Sequence, residues 1–171
     1  MSGRGRALAA TAVFALGVLV AACSNGTSVR SPFSTSPPVL HRGPEYEITT
    51  GHVDGLGTVL VDGQGLTVYM FAEDVRGKPS RCYDICAVAW PPVVLKPGVT
   101  QPVAGPGIDA ALLGTSARTD GTTQLTYNGW PLYLWPPDRA PGKATGQALA
   151  NAGGLWYVLS PAGKPIVTQT P

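Results

Sequence analysis

Charge is scarce in this chain. Of 171 residues, 12 are Lys or Arg and 10 are Asp or Glu. The basic residues are scattered instead of clustered, which excludes a nucleic-acid binder, since that needs Lys and Arg gathered on one face. Histidine is rarer still, with only His41 and His52. Helix signal is poor, because 22 Gly and 17 Pro punctuate nearly every window. No nucleophile elbow, zinc-binding helix motif or phosphate loop is present. The segment Gly142-Lys143-Ala144-Thr145-Gly146-Gln147 lacks the Gly-Lys-Ser/Thr order and a preceding strand, so it reads as a plain loop. No acid/base or nucleophile set is visible, so an enzyme is not expected, and neither is a cofactor.

The one long apolar run is N-terminal. Arg4 and Arg6 make a positive start, and residues 7–22 carry no charge. Sixteen residues separate Arg6 from Cys23, fewer than the ~20 a membrane span needs. Val20-Ala21-Ala22-Cys23 resembles the lipobox of bacterial lipoproteins. That resemblance implies cleavage before Cys23 and acylation of the new N-terminus. Two or more acyl chains give stable anchoring where one is marginal. The expected place is therefore the extracytoplasmic face of the cell membrane, with the membrane itself a partner through Cys23. Cleavage leaves 149 residues and removes two arginines and no acid, so the formal charge falls from +2 to zero.

The cysteine count fits. Three is an odd number for an exported protein. If Cys23 is lipidated, Cys82 and Cys86 remain, and an oxidising compartment favours joining them. Residues 23–44 are rich in Ser, Thr, Pro and Gly and show no periodicity. They read as a lipidated, flexible tether after a 1–22 signal peptide.

From Glu45 to the end the pattern is strand and turn. Val59-Leu60-Val61, the turn Asp62-Gly63-Gln64-Gly65 and the returning strand 66–71 form one hairpin. Residues 124–127, a turn at Asn128-Gly129 and a strand over 131–135 form another. Further strands are expected at 155–159 and 165–167. Single helical turns are expected at 109–113, with Asp109 as cap, and at 147–150. At an offset of 64 the two hairpins superimpose: Gly65 on Gly129, Tyr69 on Tyr133, Phe71 on Trp135 and Asp74 on Asp138. The reading is one compact all-β domain, residues 45–171, of two related halves at about 51–95 and 115–168. Each half is too small to bury its own apolar face.

Both hairpins end in Tyr-x-aromatic-x-x-Asp. Supporting segments are Cys82-x-x-x-Cys86 leading to Trp90-Pro91-Pro92, then Thr126-Tyr127-Asn128-Gly129, then Leu155-Trp156-Tyr157-Val158. In these residues the chain resembles a bacterial family of secreted-repeat lipoproteins with that motif. The resemblance implies fold and location but no biochemical activity.

Two readings of the motif stand side by side. Tyr69 with Phe71, and Tyr133 with Trp135, share a strand face. They form either the core of each half or a sugar- or peptide-binding platform. Asp74 and Asp138 then fix the turns after their strands. Cys82 and Cys86 likewise carry two readings. A structural disulfide restrains the unfolded chain by ~2 kcal/mol. The three-residue spacer also resembles the copper motif of cytochrome-oxidase assembly proteins, which needs a distant histidine. The leading expectation is an envelope protein with a binding or structural role and a cell-wall or envelope-protein partner. The rival is redox or copper handling at Cys82 and Cys86.

Overall fold

The computed structural model describes residues 43–167. Cys23, the signal peptide and most of the tether lie outside the described residues. The elements run β1 (Glu47–Val53), β2 (Gly57–Asp62), β3 (Val68–Phe71), α1 (Ile85–Ala89), β4 (Val103–Ala104), β5 (Leu113–Ala117), β6 (Thr123–Tyr127), β7 (Trp130–Pro131), β8 (Tyr133–Leu134), β9 (Leu149–Asn151) and β10 (Gly154–Val158). They form three sheets, ordered β2-β1-β4, β8-β3-β10-β9 and β5-β6-β7. The all-β expectation holds, and so does the pair of related halves.

Each half opens with a hairpin. β1 pairs with β2 from Ile48↔Asp62 to Val53↔Gly57, and β5 pairs with β6 from Leu113↔Tyr127 to Ala117↔Thr123. The turn between β6 and β7 uses Asn128 and Gly129, both at positive φ (48° and 79°), which suits an Asn-Gly hairpin turn. After each hairpin the chain enters a motif strand, β3 or β8. These two strands pair with each other antiparallel, with Tyr69 opposite Tyr133. Antiparallel strands with equivalent residues opposite one another are related by a local two-fold through that pair. The segments that close the halves repeat the relation. Leu60 N–H donates to Leu159 O at 3.0 Å, and Leu125 N–H donates to Val93 O at 2.8 Å.

β3 lies inside the middle sheet, between β8 and β10, and all four of its residues are buried. Its alternation serves two cores. Tyr69 and Phe71 face one cluster with Trp90, Tyr133 and Trp156, while Val68 and Met70 face the other with Ile48, Leu125 and Leu159. No buried side-chain nitrogen or oxygen among the described residues lacks a hydrogen-bond partner, as a polar interior requires.

Some local expectations change. The hairpin expected between 59–61 and 66–71 is reduced to one bridge, Val61↔Thr67, because β2 pairs with β1 while β3 crosses into the middle sheet between β8 and β10. The helical turns at 109–113 and 147–150 are not helices. Asp109 Oδ1 caps only a tight turn by accepting from Ala111 N–H at 2.9 Å, and residues 149–150 belong to β9. The strand over 131–135 is split at Leu132 into β7 and β8, because Leu132 N–H bonds Leu125 O while its own carbonyl serves Val93. The strand at 165–167 is reduced to one bridge, Leu159↔Pro165, since proline has no N–H to extend a ladder. Gly43 and Pro44, read as the end of the tether, are bonded to the domain: Gly43 N–H donates to Gly63 O and Glu47 N–H to Pro44 O. The only helix among the described residues is α1, which begins within the Cys82–Cys86 loop and runs on to Ala89, where none is expected. Its first turn closes through Tyr83 O and Asp84 O, with no side-chain cap.

Candidate functional site

The two motif copies meet in the middle sheet. Tyr69 and Tyr133 are wholly buried, and Asp74 and Asp138 almost so. Their polar ends cross over between halves. The Tyr69 hydroxyl donates to Asp138 Oδ2, and the Tyr133 hydroxyl donates to Asp74 Oδ2 at 2.7 Å. Each aspartate uses its other oxygen on its own half. Asp74 Oδ1 accepts from Arg81 N–H at 2.7 Å, and Asp138 Oδ1 accepts from Thr145 N–H at 2.9 Å, in both cases seven residues downstream. The aspartates therefore fix their own turns and also tie the opposite half's tyrosine. Each tyrosine has a second contact: Ser80 Oγ lies 2.6 Å from the Tyr133 hydroxyl, and Gly146 N–H donates to the Tyr69 hydroxyl at 3.3 Å.

Burial sets the electrostatics. It pushes both tyrosine hydroxyls far above their ordinary range, and the neighbouring carboxylates push the same way. Burial also raises Asp74, opposed by the bonds from Tyr133 and Arg81. These tyrosines stay protonated donors at any physiological pH.

The rings form a single stack. Phe71 stacks on Trp156 at 4.3 Å, Trp156 on Trp90 at 3.9 Å, and Trp90 on Trp135 at 4.3 Å. Tyr69 meets Trp90 edge-on at 5.4 Å and Tyr133 meets Trp156 edge-on at 5.1 Å. Such geometries suit the ring quadrupoles. Exchanging Phe71 with Trp135, Trp156 with Trp90, and Tyr69 with Tyr133 leaves the arrangement unchanged in kind. The expectation of one aromatic core per half gives way to one core shared by both. Asn151 receives both indole N–H groups, Trp90 on Oδ1 and Trp156 on its carbonyl, each at 2.9 Å. Gly146 is required here, because a Cβ there would lie 2.6 Å from Trp90 Cη2. Only Trp135 keeps partial exposure, with its Nε1–H on Thr145 Oγ1 at 3.1 Å.

Sequence comparison at an offset of 64 misses the equivalence of Trp90 and Trp156, which are 66 apart. Two extra residues between the motif and this tryptophan in the second half shift the register. A search for tryptophans near that spacing finds the pair.

Cys82 and Cys86 are joined as a disulfide, with Cα atoms 5.2 Å apart. The bond ties the first turn of α1 to the segment before it, with Cys82 fully buried beside Trp90 in the core. Arg118 anchors this loop, a role the sequence does not announce. Its guanidinium donates to Cys82 O at 2.9 Å and Gln124 Oε1 at 2.8 Å, and sits 4.3 Å over the Tyr83 ring. Its Nε donates to Asp120 Oδ2 at 3.0 Å. Asp120, held mainly by Thr122 and then by Arg118, is lowered to about 2. His52 is exposed on β1, its Nε2 3.5 Å from Asp54, and His41 lies outside the described residues. No group of three His, Cys, Asp or Glu side chains suited to a metal ion occurs among the described residues.

Surface depressions of about 480 Å³ around Arg76, Leu112 and Asn128, and about 510 Å³ around Ala150 and Leu155, contain no residue of the two Tyr-x-aromatic-x-x-Asp copies. No helix among the described residues is long and apolar enough to cross a membrane. A family model described as a secreted repeat of unknown function matches residues 53–94 and 114–160, one match per half. No curated protein and no solved structure matches the chain.

Proposed function

We propose a role for this chain from one premise: it belongs to the family of secreted repeats of unknown function. It is therefore an extracytoplasmic protein. In our reading it is a lipoprotein held to the outer face of the cell membrane by acyl chains on Cys23. Residues 24–42 would then tether a rigid β domain whose work is to bind or brace another envelope component, a cell-wall polymer or an envelope protein.

One observation carries the non-enzymatic part of this reading. The motif that defines each repeat is spent on architecture. Both tyrosine hydroxyls and all four aspartate oxygens are bonded within the buried pair of motifs and their adjoining turns. A buried tyrosine held protonated and a carboxylate with both oxygens bonded are poor reagents and good struts. The disulfide fits the same role, since it fixes a loop against the core.

Membrane fractionation with mass spectrometry of the N-terminal peptide tests the anchor. The wild-type protein is expected in the membrane fraction with acylated Cys23, and Cys23→Ala in the soluble fraction. An unacylated wild-type Cys23 ends the lipoprotein reading. Titration of the reduced protein with copper tests the rival role. Tight one-to-one binding lost in Cys82→Ser moves the function to metal handling.

A further inference from the structure

Neither half is complete in itself. The family matches end at residues 94 and 160, so each repeat includes the strand that closes it. That strand pairs with the other repeat. β10 of the second half lies against β3 of the first, with Trp156↔Phe71 and Val158↔Tyr69. The segment 92–94 of the first half bridges to the second at Pro92↔Tyr133 and Val94↔Gln124. The stacked rings alternate between halves, in the order Phe71, Trp156, Trp90, Trp135. A half on its own would lose the stacking partner of every ring and the crossed partners of its tyrosine and aspartate.

The link between the halves is short. β4 pairs parallel with β1, Gly105 N–H donates to Ile48 O at 2.8 Å, and the Thr49 and Thr50 hydroxyls donate to Pro106 O, so residues 103–106 stay with the first half. Leu112 O accepts from Asn128 N–H at 2.7 Å, so the chain has joined the second half by residue 112. Residues 107–111 lie between. Four of these five are exposed, and only Ile108 packs against a core cluster. Apart from Asp109 N–H, which donates to the Tyr127 hydroxyl at 3.2 Å, their bonds are the local ones of a turn. Straightening that turn breaks few contacts.

A second copy of the chain supplies the same surfaces. Placed against the first half of one copy, the second half of another remakes every bond between halves, and only the turn at 107–111 changes. The cost is the entropy of joining two chains. A short link gives the halves of one chain an effective concentration on the order of millimolar, so closure within the chain wins when folding is dilute. We propose that this chain exchanges halves with a second copy to form a dimer, in which the first half of each copy is completed by the second half of the other and residues 107–111 are the hinge. Each globule of the dimer then holds a Tyr69–Asp138 pair and a Tyr133–Asp74 pair formed between chains. The surface that recognises the partner is the shared aromatic core. Acylation of Cys23 is not required for the exchange.

The test uses the mature chain with Cys23→Ser and the Cys82–Cys86 bond intact. Urea-unfolded protein is refolded at a series of concentrations and separated by size-exclusion chromatography with light scattering. Monomer is expected from dilute refolding and a growing dimer fraction from concentrated refolding. The dimer should keep the near-ultraviolet circular dichroism of the monomer, because the same stack is rebuilt. Ala72 and Leu155 are exposed and joined across the halves, Ala72 N–H donating to Leu155 O at 2.8 Å. One chain with Ala72→Cys and another with Leu155→Cys are therefore refolded together and treated with a short bis-maleimide. A cross-linked heterodimer is expected, because exchange sets position 72 of one chain beside position 155 of the other. Deleting Ala110 and Ala111 should make dimer the main form at every concentration, since the shortened link no longer lets one chain close on itself. Monomer alone at every concentration overturns the proposal, as does a folded, monomeric deletion variant. So does a dimer whose Ala72→Cys and Leu155→Cys chains do not cross-link, since that is two closed domains side by side. The cross-link uses the intact hinge, so it decides the matter whether or not the shortened chain folds.

Discussion

The two halves share their motif wiring and differ in what supports it. In both, a buried tyrosine bonds the other half's aspartate, and that aspartate also holds a backbone N–H seven residues on. Beyond that point they part. The first half continues into Cys82 and then α1, which carries Cys86. The second, at the matching offset, continues through Gly146 into a turn and β9. A serine hydroxyl supports Tyr133, where a backbone amide supports Tyr69. The crossed Tyr–Asp pairs are thus the element that both halves need for joining. The segment after the aspartate is free to take a different form, and in the first half that form faces solvent with Ile85 and Val88.

Removing a ring from the shared stack should disturb both halves most. Trp90→Ala and Trp156→Ala should each cost about 3–5 kcal/mol in urea unfolding, because both leave a large cavity in the same core. If the halves were separate cores, the two costs would add independently. In one core the double variant should depart clearly from the sum. Reduction of Cys82–Cys86 should cost ~2 kcal/mol. Its thiols should resist alkylation until reductant is added. Because only the first half is stapled, hydrogen exchange should rise most around α1 and Trp90.

Tyr69→Phe and Tyr133→Phe remove one donor each from a buried carboxylate. Each should cost about 1–3 kcal/mol in urea unfolding, with matching size expected from matching geometry. The smallest effect is in pH dependence. Burial raises Asp74 above its unfolded value of 3.8. Its stabilising contribution is therefore present below that value and lost as pH rises through the folded pKa. Asp120 has the opposite sign, lowered to about 2, so its contribution is present above the unfolded value and lost as pH falls through about 2. Urea unfolding across the acid range should show stability relative to Asp74→Asn declining as pH rises. Relative to Asp120→Asn it should decline as pH falls.

The all-β class and the second hairpin were legible in the sequence because hairpin physics is local, whereas the first expected hairpin was not, since β3 leaves β2 for β8 and β10. Strand alternation and the Asn128-Gly129 turn need no knowledge of distant residues. The repeat at offset 64 announced the pairing of Tyr69 with Tyr133 as equivalent residues. It did not announce that each aspartate serves the other half, because the crossing depends on β3 and β8 lying side by side. Helix α1 stayed hidden for a different reason. Its five residues include β-branched Ile85 and Val88 and have no capping side chain, so no propensity argument favours it. The disulfide holds it, together with backbone N–H bonds donated by Cys86, Ala87 and Val88 to the carbonyls of Tyr83 and Asp84. Arg118 stayed hidden because a lone arginine before a turn is usually a solvated charge. Only the fold brings Cys82 O, Gln124 and Tyr83 around it. The residues that position Cys23 lie outside the described structure, so its role rests on the sequence pattern.

Each tyrosine belongs energetically to the other half. A double-mutant cycle of Tyr69→Phe with Asp138→Asn, set beside one of Tyr69→Phe with Asp74→Asn, tests it most directly. The first cycle should show a coupling of about 0.5–3 kcal/mol, the range for residues in direct contact. The second should show much less, although Tyr69 and Asp74 share one motif. Coupling of Tyr69 to Asp74, with none to Asp138, would contradict the crossed arrangement.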